Sequence, residues 1–553
     1  MPDDTNSGSL DRRSVLKSIT AAGTLPIGLG KVAAQPECEA YDEANRVQES
    51  RLPDIVPRPV EVGPPTRPAG VGPSASSKTL EDNSEIVIDS DEARGVAEYL
   101  GSLLRPPTGY RFPIIRRRNA GNDTEGIALL LSGAPDEVGD EGYSLDVTSE
   151  EVEIRAHKPA GLFNGVQTLR QLLPAKVESD TEQSGPWTVS VRRITDYPRF
   201  SYRGSHLDVA RHFFDVDVVK QYIDYLAQYK INHLHLHLTD DQGWRIEIDG
   251  WPNLTDEGAD SEVGGGPGGY YTKKEYTEIV QYAQDRFITV IPEIDMPGHT
   301  GAALESYAEL NCDGTKREED TGTNVGDTAL CVDKEITYEF IEDVISQVAE
   351  ITPGPYIHLG GDEARTLSAE EYDCFMDRAV PMVIENGKRP TGWHQILEAD
   401  PPTQTIAQYW SPSRINPDVA AKTQEGHEII SSPASRAYLD MDYNDEDGTG
   451  QDWAGNTSVK YSYDWDPGRF LIGASESSIM GPEAALWTEY IETLDDIEFM
   501  TFPRLPAIAE LGWTPQEKTT KQWCEFRHRL AAQGPRWDVQ NINYYRSEQV
   551  PWP

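Results

Sequence analysis

From Tyr197 onward the chain repeats one pattern, a short apolar run that ends in polar residues and is followed by a stretch of helical periodicity. The runs are Tyr202 to Val209, Asn232 to Leu238, Phe287 to Ile294, Tyr356 to Leu359, Arg389 to Trp393, Thr405 to Tyr409, Glu428 to Ser431 and Ile479 to Trp487. Strands buried on both faces read as near-continuous apolar runs, as parallel sheets do. Between the first two, Val216, Val219, Tyr222, Ile223 and Leu226 form the apolar stripe of an amphipathic helix. Eight such units predict a (β/α)8 TIM barrel over 196–515, whose chemistry belongs at the C-terminal ends of its strands.

Before the barrel the periodicity is mixed. Ile86 to Ile88 reads as a strand, Glu92 to Leu104 as a helix, Gly126 to Leu131 as a strand and Tyr143 to Ile154 as two short strands. Gly161 to Leu173 then reads as a helix with Leu162, Val166, Leu169 and Leu173 on one face. The fold class expected is therefore α/β, a barrel preceded by a small α+β domain at 79–192. Prolines and glycines crowd the stretch 36–78, which has the composition of a linker, and 516–553 is expected to pack on the barrel as a C-terminal extension. No repeat of solenoid period is found.

Charge changes the picture of partners. The chain of 553 residues carries 49 basic and 93 acidic side chains, a formal net charge of −44 spread along its length. That excludes nucleic acid as a partner and suits a protein kept soluble in concentrated salt. No apolar run is long enough to span a bilayer. At the N-terminus, Arg12 and Arg13 precede the mildly apolar stretch Ile19 to Leu29, which resembles a twin-arginine export signal over 1–35 and places the protein outside the cell. Of five cysteines, Cys312 and Cys331 flank a polar loop and are candidates to pair; Cys38, Cys374 and Cys524 leave at least one thiol free.

Four segments carry candidate chemistry at predicted strand ends. In Tyr356 to Glu363 an apolar strand runs into Gly360 and Gly361 and then the adjacent acids Asp362 and Glu363. Neighbouring acids in a dry pocket push each other's proton affinities apart, giving one acid and one carboxylate; a helix N-cap would also explain such a pair. In His233 to Arg245, strand alternation sets His233, His235 and His237 on one face ahead of Asp240 and Asp241. His-x-His at a barrel strand end is a zinc motif as well as an ordinary packed pair. Val290 to His299 brings a histidine to a polar turn, and Ala484 to Glu489 closes the barrel with Trp487 and Glu489. Trp393, Trp410, Trp465 and Tyr438 with Asp440 add aromatic faces suited to sugar C–H faces and acids suited to hydroxyls. Any one tryptophan reads first as core; several at the same end of one barrel reverse that reading.

Taken in order, Arg203 to Arg211, the His-Leu-Thr-Asp-Asp-Gln-Gly-Trp-Arg segment, Pro292 to His299, His358 to Glu363 and Leu486 to Glu489 resemble glycoside hydrolase family 20. The likeness covers roughly 80–515, including Gly161 to Leu169 of the small domain. It departs at Leu236, where many members carry tryptophan, and at Gly481 to Glu483, and is loose over 411–470.

The resemblance implies a retaining exo-β-N-acetylhexosaminidase acting on terminal N-acetylglucosamine or N-acetylgalactosamine of glycans or chitin fragments, with the substrate's own acetamido oxygen as nucleophile. Glu363 would be general acid and base, Asp362 would orient the acetamido N–H, and Tyr438 would bond its oxygen. Asp240 and His299 would form a relay behind Glu363. Trp393, Trp410 and Trp487 would box the acetamido methyl, Arg203, Asp440 and Glu489 would hold hydroxyls, and Trp465 would line the pocket more peripherally. The scheme calls for no metal and no cofactor, and it leaves a homodimer open. Two rivals remain at this stage: a metal-dependent hydrolase using His235 and His237, and a non-catalytic sugar-binding protein.

Overall fold

The computed structural model describes Cys38, Asp42 and residues 54–64, 76–116, 126–446, 448–519 and 522–553. The stretch read as an export signal lies outside the described residues. Two bodies share one chain. In the first, the strands run in the order Glu61–Gly63, Arg192–Asp196, Tyr143–Val147, Val152–Arg155, Gly126–Leu130, Glu85–Ile88 and Ile114–Arg116, a mixed sheet covered by the helices Arg94–Thr108 and Pro159–Leu172. Its first strand comes from the proline-rich stretch read as a linker. Ile55 and Val56 are buried there, so the folded part starts before residue 79.

The second body is a closed parallel barrel of eight strands among the described residues: β1 (Gly204–Asp208), β2 (His233–His237), β3 (Thr289–Glu293), β4 (Tyr356–His358), β5 (Arg389–Trp393), β6 (Ile406–Tyr409), β7 (Ile429–Ser431) and β8 (Ile479–Leu486). Each pairs with the next in parallel, and β8 returns to β1 with Ala484 opposite Ser205. Every predicted run became a strand because each is buried on both faces, against helices outside and filler side chains inside. The filler is apolar in one layer, Tyr202, Ile291, Ile406 and Ile430, and polar above it: in β2, Leu234 and Leu236 face the helices while His235 and His237 point inward with Glu293, His358, Gln408 and Glu483, all at most 1% exposed. Between β1 and β2 the helix Val216–Gln228 starts at Asp215, whose carboxylate accepts from the amides of Asp217 and Val218 at 3.0 Å. It buries Val219, Tyr222, Ile223 and Leu226 on the barrel.

The bodies are joined below the barrel, at the N-terminal ends of its strands. Asp196 of the first body accepts from Lys230 Nζ at 2.8 Å and from Trp513 Nε1 at 2.9 Å, with Tyr143 Oη at 2.6 Å completing a buried cluster. Arg203 lies here too. It precedes β1, is 1% exposed, and donates to Glu141 Oε2 at 2.8 Å and to the carbonyls of Lys230 and Phe200. The C-terminal helices Trp523–Ala531 and Gly534–Gln540 pack across both bodies, with Trp537 Nε1 donating to Tyr229 Oη and Arg536 paired to Glu178. A disulfide ties Cys38 to Cys524, a second ties Cys312 to Cys331, and Cys374 is free. No described helix is long and apolar enough to cross a membrane.

Removing one member of a buried ion pair strands its partner, a cost of about 3–5 kcal/mol. Lys230→Met should therefore lower the free energy of unfolding obtained from urea titration by that amount, whereas a change under about 1 kcal/mol would show that the Asp196 cluster does not hold the two bodies together.

Candidate active site

At the top of β4 the chain passes through Gly360 and Gly361 with φ of 66° and 90°. Only glycine takes such angles freely, and a Cβ at Gly360 would meet Asp295 Oδ1 at 1.7 Å. The turn delivers Asp362 and Glu363 to the mouth of the barrel. Glu363 itself has φ 48° and His299 has φ 55°, left-handed angles that cost a residue with a Cβ and that cluster at functional sites. Asp362 is 8% exposed, and its Oδ1 has no hydrogen-bond partner among the described residues. Burial raises its carboxyl to about 6; the His299 cation opposes that rise and the Glu363 charge adds to it.

His299 sits behind both acids, its Nε2 at 3.7 Å from Asp362 Oδ2 and 3.8 Å from Glu363 Oε2. Its Nδ1 meets Asp240 Oδ1 at 3.1 Å. Asp240 stands on a tight hairpin in which Thr239–Asp240 pairs antiparallel with Gly243–Trp244. Its other oxygen takes His237 Nε2 at 2.9 Å and Arg211 Nη2 at 2.6 Å. Burial would raise Asp240, but Arg211 and His299 outweigh it and hold the carboxyl well below its ordinary value. For His299 the balance runs the other way: burial favours the neutral ring, and Asp240, Asp362 and Asp295 together raise it well above the usual imidazole value. An imidazolium thus faces the acid pair with a carboxylate at its back. On the open side, Arg365 Nη2 meets Glu363 Oε1 at 2.6 Å.

Aromatic rings line the opposite wall. Trp393 and Trp487 have centroids 5.5 Å apart, Trp487 lies 6.3 Å from Tyr438, and Trp453 bridges Tyr438 and Trp410 at 6.0 Å to each. Tyr438 is held by a parallel bridge to Ala485 of β8. Asp440 is 2% exposed with Oδ2 unpartnered among the described residues, and burial, with Glu489 adding, pushes its carboxyl well above the ordinary range. A buried acceptor beside aromatic faces is fitted to a ligand hydroxyl.

The structure gathers Asp240, His299, Asp362, Glu363, Trp393, Trp410, Tyr438, Asp440, Trp487 and Glu489 at the C-terminal end of the barrel, and corrects two assignments. Arg203 is at the opposite end, committed to Glu141 and backbone carbonyls, so it cannot hold a ligand in this site. Arg211 takes its place. It follows β1, donates to Asp208 Oδ2 at 3.2 Å and to Gln242, and lies 5.0 Å over the Trp487 ring. The strand-end rule pointed to it, since within one run Arg203 enters the strand and Arg211 leaves it. Trp465 packs on Phe470 and donates to the carbonyl of Ser462, away from the aromatic wall. Trp453 fills that wall instead, from a stretch where spacing gave no register.

Four groups among the described residues put three possible metal donors within 4.8 Å: His206 with His235 and Glu293, His237 with Glu293 and Asp295, Asp240 with Asp241 and His299, and Asp295 with His299 and Asp362. The two histidines of a metal-dependent reading are spoken for. His235 lies between Glu483 at 2.9 Å and Glu293 at 3.0 Å, His237 between Glu293 at 2.6 Å and Asp240 at 2.9 Å. Burial would lower both, yet the carboxylates outweigh it, raising His235 to about 9 and His237 well above the ordinary imidazole value.

Comparison with known proteins agrees with this geometry. The family model described as "Glycosyl hydrolase family 20, catalytic domain" matches residues 200–516, and "Glycosyl hydrolase family 20, domain 2" matches 53–197. The chain is 39% identical over 511 residues to a β-N-acetylhexosaminidase of Cellulomonas fimi, covering 91% of this chain and 98% of that protein. Among solved structures, the GH20 β-N-acetylhexosaminidase of Streptomyces coelicolor A3(2) superposes with a TM-score of 0.86 at 49% identity, over 92% of this chain and 100% of the other. The N-acetyl-β-hexosaminidase of Streptomyces plicatus, solved with Thio-NAglucal, does so with 0.86 at 50% identity, over 92% and 99%.

Lysine cannot reproduce the fork by which Arg211 serves Asp208 and Asp240 together. Losing one charge-assisted bond is worth about 1.5–3 kcal/mol, or about 10–150-fold. Arg211→Lys should lower kcat/KM on an aryl N-acetylhexosaminide by that factor, while the same change at Arg203 should act on stability; the reverse pattern would restore the original assignment.

Proposed function

The chain belongs to glycosyl hydrolase family 20 and is a β-N-acetylhexosaminidase of that family, and from that premise we propose that it is a retaining, exo-acting enzyme whose substrate supplies the nucleophile. The observation that carries the reading is the pairing of two acids of different character: Asp362, buried with an unpartnered oxygen, and Glu363 beside it at the mouth, both facing His299. In this scheme Glu363 gives its proton to the glycosidic oxygen as the carbonyl oxygen of the 2-acetamido group attacks the anomeric carbon. The sugar is left as an oxazolinium ion. Glu363, now a carboxylate, takes a proton from water, which opens the ring from the same face and restores the β configuration.

Asp362 accepts the acetamido N–H and stabilises the positive charge that grows on it. Tyr438 donates to the acetamido oxygen, and Trp393, Trp410 and Trp487 enclose the methyl, holding the nucleophile in line and keeping water out. Trp453 extends that wall. Arg211, Asp440 and Glu489 hold the hydroxyls of the terminal sugar, which closes the pocket to inner residues of a chain and makes the cut terminal. His299 and Asp240 fix the charge behind the acid pair. Chitin fragments and glycan ends both offer the required sugar. The sugar-binding reading without catalysis has no support from a site in which both acids are in place.

We further propose that the protein is exported by the twin-arginine route and works in high salt. What supports this is the paired arginines near the N-terminus, the net charge of −44 and the two disulfides, which persist in an oxidising compartment.

Glu363→Gln should abolish hydrolysis of an aryl N-acetylglucosaminide yet retain a thiazoline that mimics the oxazoline; unchanged turnover would remove Glu363 from the scheme. Asp362 must be ionised to orient the amide, and a carboxyl raised to about 6 gains its proton as pH falls through that value. The wild-type kcat/KM should accordingly drop on the acid side near pH 6, and Asp362→Asn, slower by about 10²–10³-fold, should lack that inflection. A glucosamine substrate without the acetyl group should be cleaved far more slowly; equal rates for the two would refute internal attack.

A further inference from the structure

The line of charges behind the acid pair does not stop at Asp240. His237, whose Nε2 serves Asp240, turns its Nδ1 to Glu293 Oε2 at 2.6 Å. Glu293 ends β3 and is completely buried. Its Oε2 also meets His235 Nε2 at 3.0 Å, its Oε1 accepts from Trp393 Nε1 at 2.8 Å, and His358 Nδ1 lies 3.0 Å from that same oxygen. Side chains of β2, β4 and β5 therefore converge on one carboxylate under the floor of the site.

We propose that Glu293 is a positioning residue for hydrolysis: through Oε1 it fixes the indole of Trp393 that walls the acetamido pocket, and through Oε2 it holds His237 against Asp240 and thereby sets His299 behind Asp362 and Glu363. The inference rests on the functional reading above, in which Trp393 and His299 have those tasks. The physical case is that both halves of the site hang from rotatable bonds. Trp393 turns about its side-chain torsions, and its N–H has a buried partner in Glu293. The Asp240 carboxylate is aimed by the side chains of His299, His237 and Arg211 and by the amide of Asp241, and of these His237 is anchored from below by Glu293. A buried carboxylate also needs its donors. Burial would raise the Glu293 carboxyl, and His237, His358 and His235 bring it well below the ordinary value. The anion is thus held by the same groups that it aims.

A merely structural carboxylate would act on stability and add its effect to that of any other mutation. A positioning one acts through Trp393 and Asp240, so its effect shrinks once they are gone. Glu293→Gln keeps the volume but not the charge. In steady-state kinetics on an aryl N-acetylglucosaminide it should lower kcat by about 10–100-fold, the range seen when an orienting partner behind a working group is lost. KM should change far less, because the groups that hold the hydroxyls are untouched. Each of the Asp240→Asn and Trp393→Phe backgrounds removes one of the two arms, so in each the same change should cost clearly less than in the wild type, and the two residual costs should together come to about the wild-type effect on the logarithmic scale. Full additivity in both cycles, or a loss confined to KM, overturns the proposal. Should Glu293→Gln fail to fold, His237→Gln combined with Asp240→Asn tests the lower arm by the same criterion, and additivity there overturns it equally. If the wild type cleaves the deacetylated substrate as fast as the acetylated one, the functional reading has failed. If it discriminates and the cycles are additive, only the role of Glu293 has.

Discussion

An ionised acid is costly to bury without a cation beside it, and along one line through the barrel that demand is met by alternation. From the mouth downward run Asp362, His299, Asp240, His237, Glu293, His235 and Glu483, carboxylate and imidazole in turn, with Tyr202 Oη on the last oxygen. An isolated buried charge would cost far more than a folded protein has to spare. Set in sequence, each charge is solvated by its neighbours. At the top, Asp362 has one oxygen without a partner among the described residues and a proton affinity raised to about 6. There the line reaches the mouth of the barrel.

The rest of the molecule holds this line straight. The loop closed by the Cys312–Cys331 disulfide reaches under the hairpin: Thr328 Oγ1 donates to Asp241 Oδ1 at 2.5 Å, and Gln242 Nε2 donates to the carbonyl of Gly322 at 2.9 Å. Gln242 in turn accepts from Arg211, which pairs with Asp240. Below the barrel, the first body and the C-terminal helices close the other end through Arg203, Lys230 and Trp537. Surface and interior therefore use acids in two ways. Outside, hydrated, they carry the net charge of −44; inside, those of the line each have a basic neighbour and a fixed direction.

Strand and helix content was legible in the chain because burial on both faces leaves a local mark. All eight barrel strands lie within the apolar runs that marked them, and the motif acids sit at the ends of those strands, where a parallel barrel exposes its chain to ligand. Local pattern likewise marked Gly360 and Gly361, because a turn with left-handed angles leaves glycine in the sequence.

Direction and partnership are not local. Arg203 and Arg211 share a run, and whether a guanidinium points into the site or into the seam with the first body depends on which end of β1 it leaves, a matter of the strand's exact length. Trp453 and Trp465 lie in a stretch without periodicity, so only packing shows that one meets Tyr438 and the other Phe470. The inward row of histidines was visible as alternation, but its meaning was not. The partners that His235 and His237 meet are Glu293 and Glu483, which arrive from β3 and β8, far away along the chain, because hydrogen-bond partners are chosen in space and periodicity records only which face is buried.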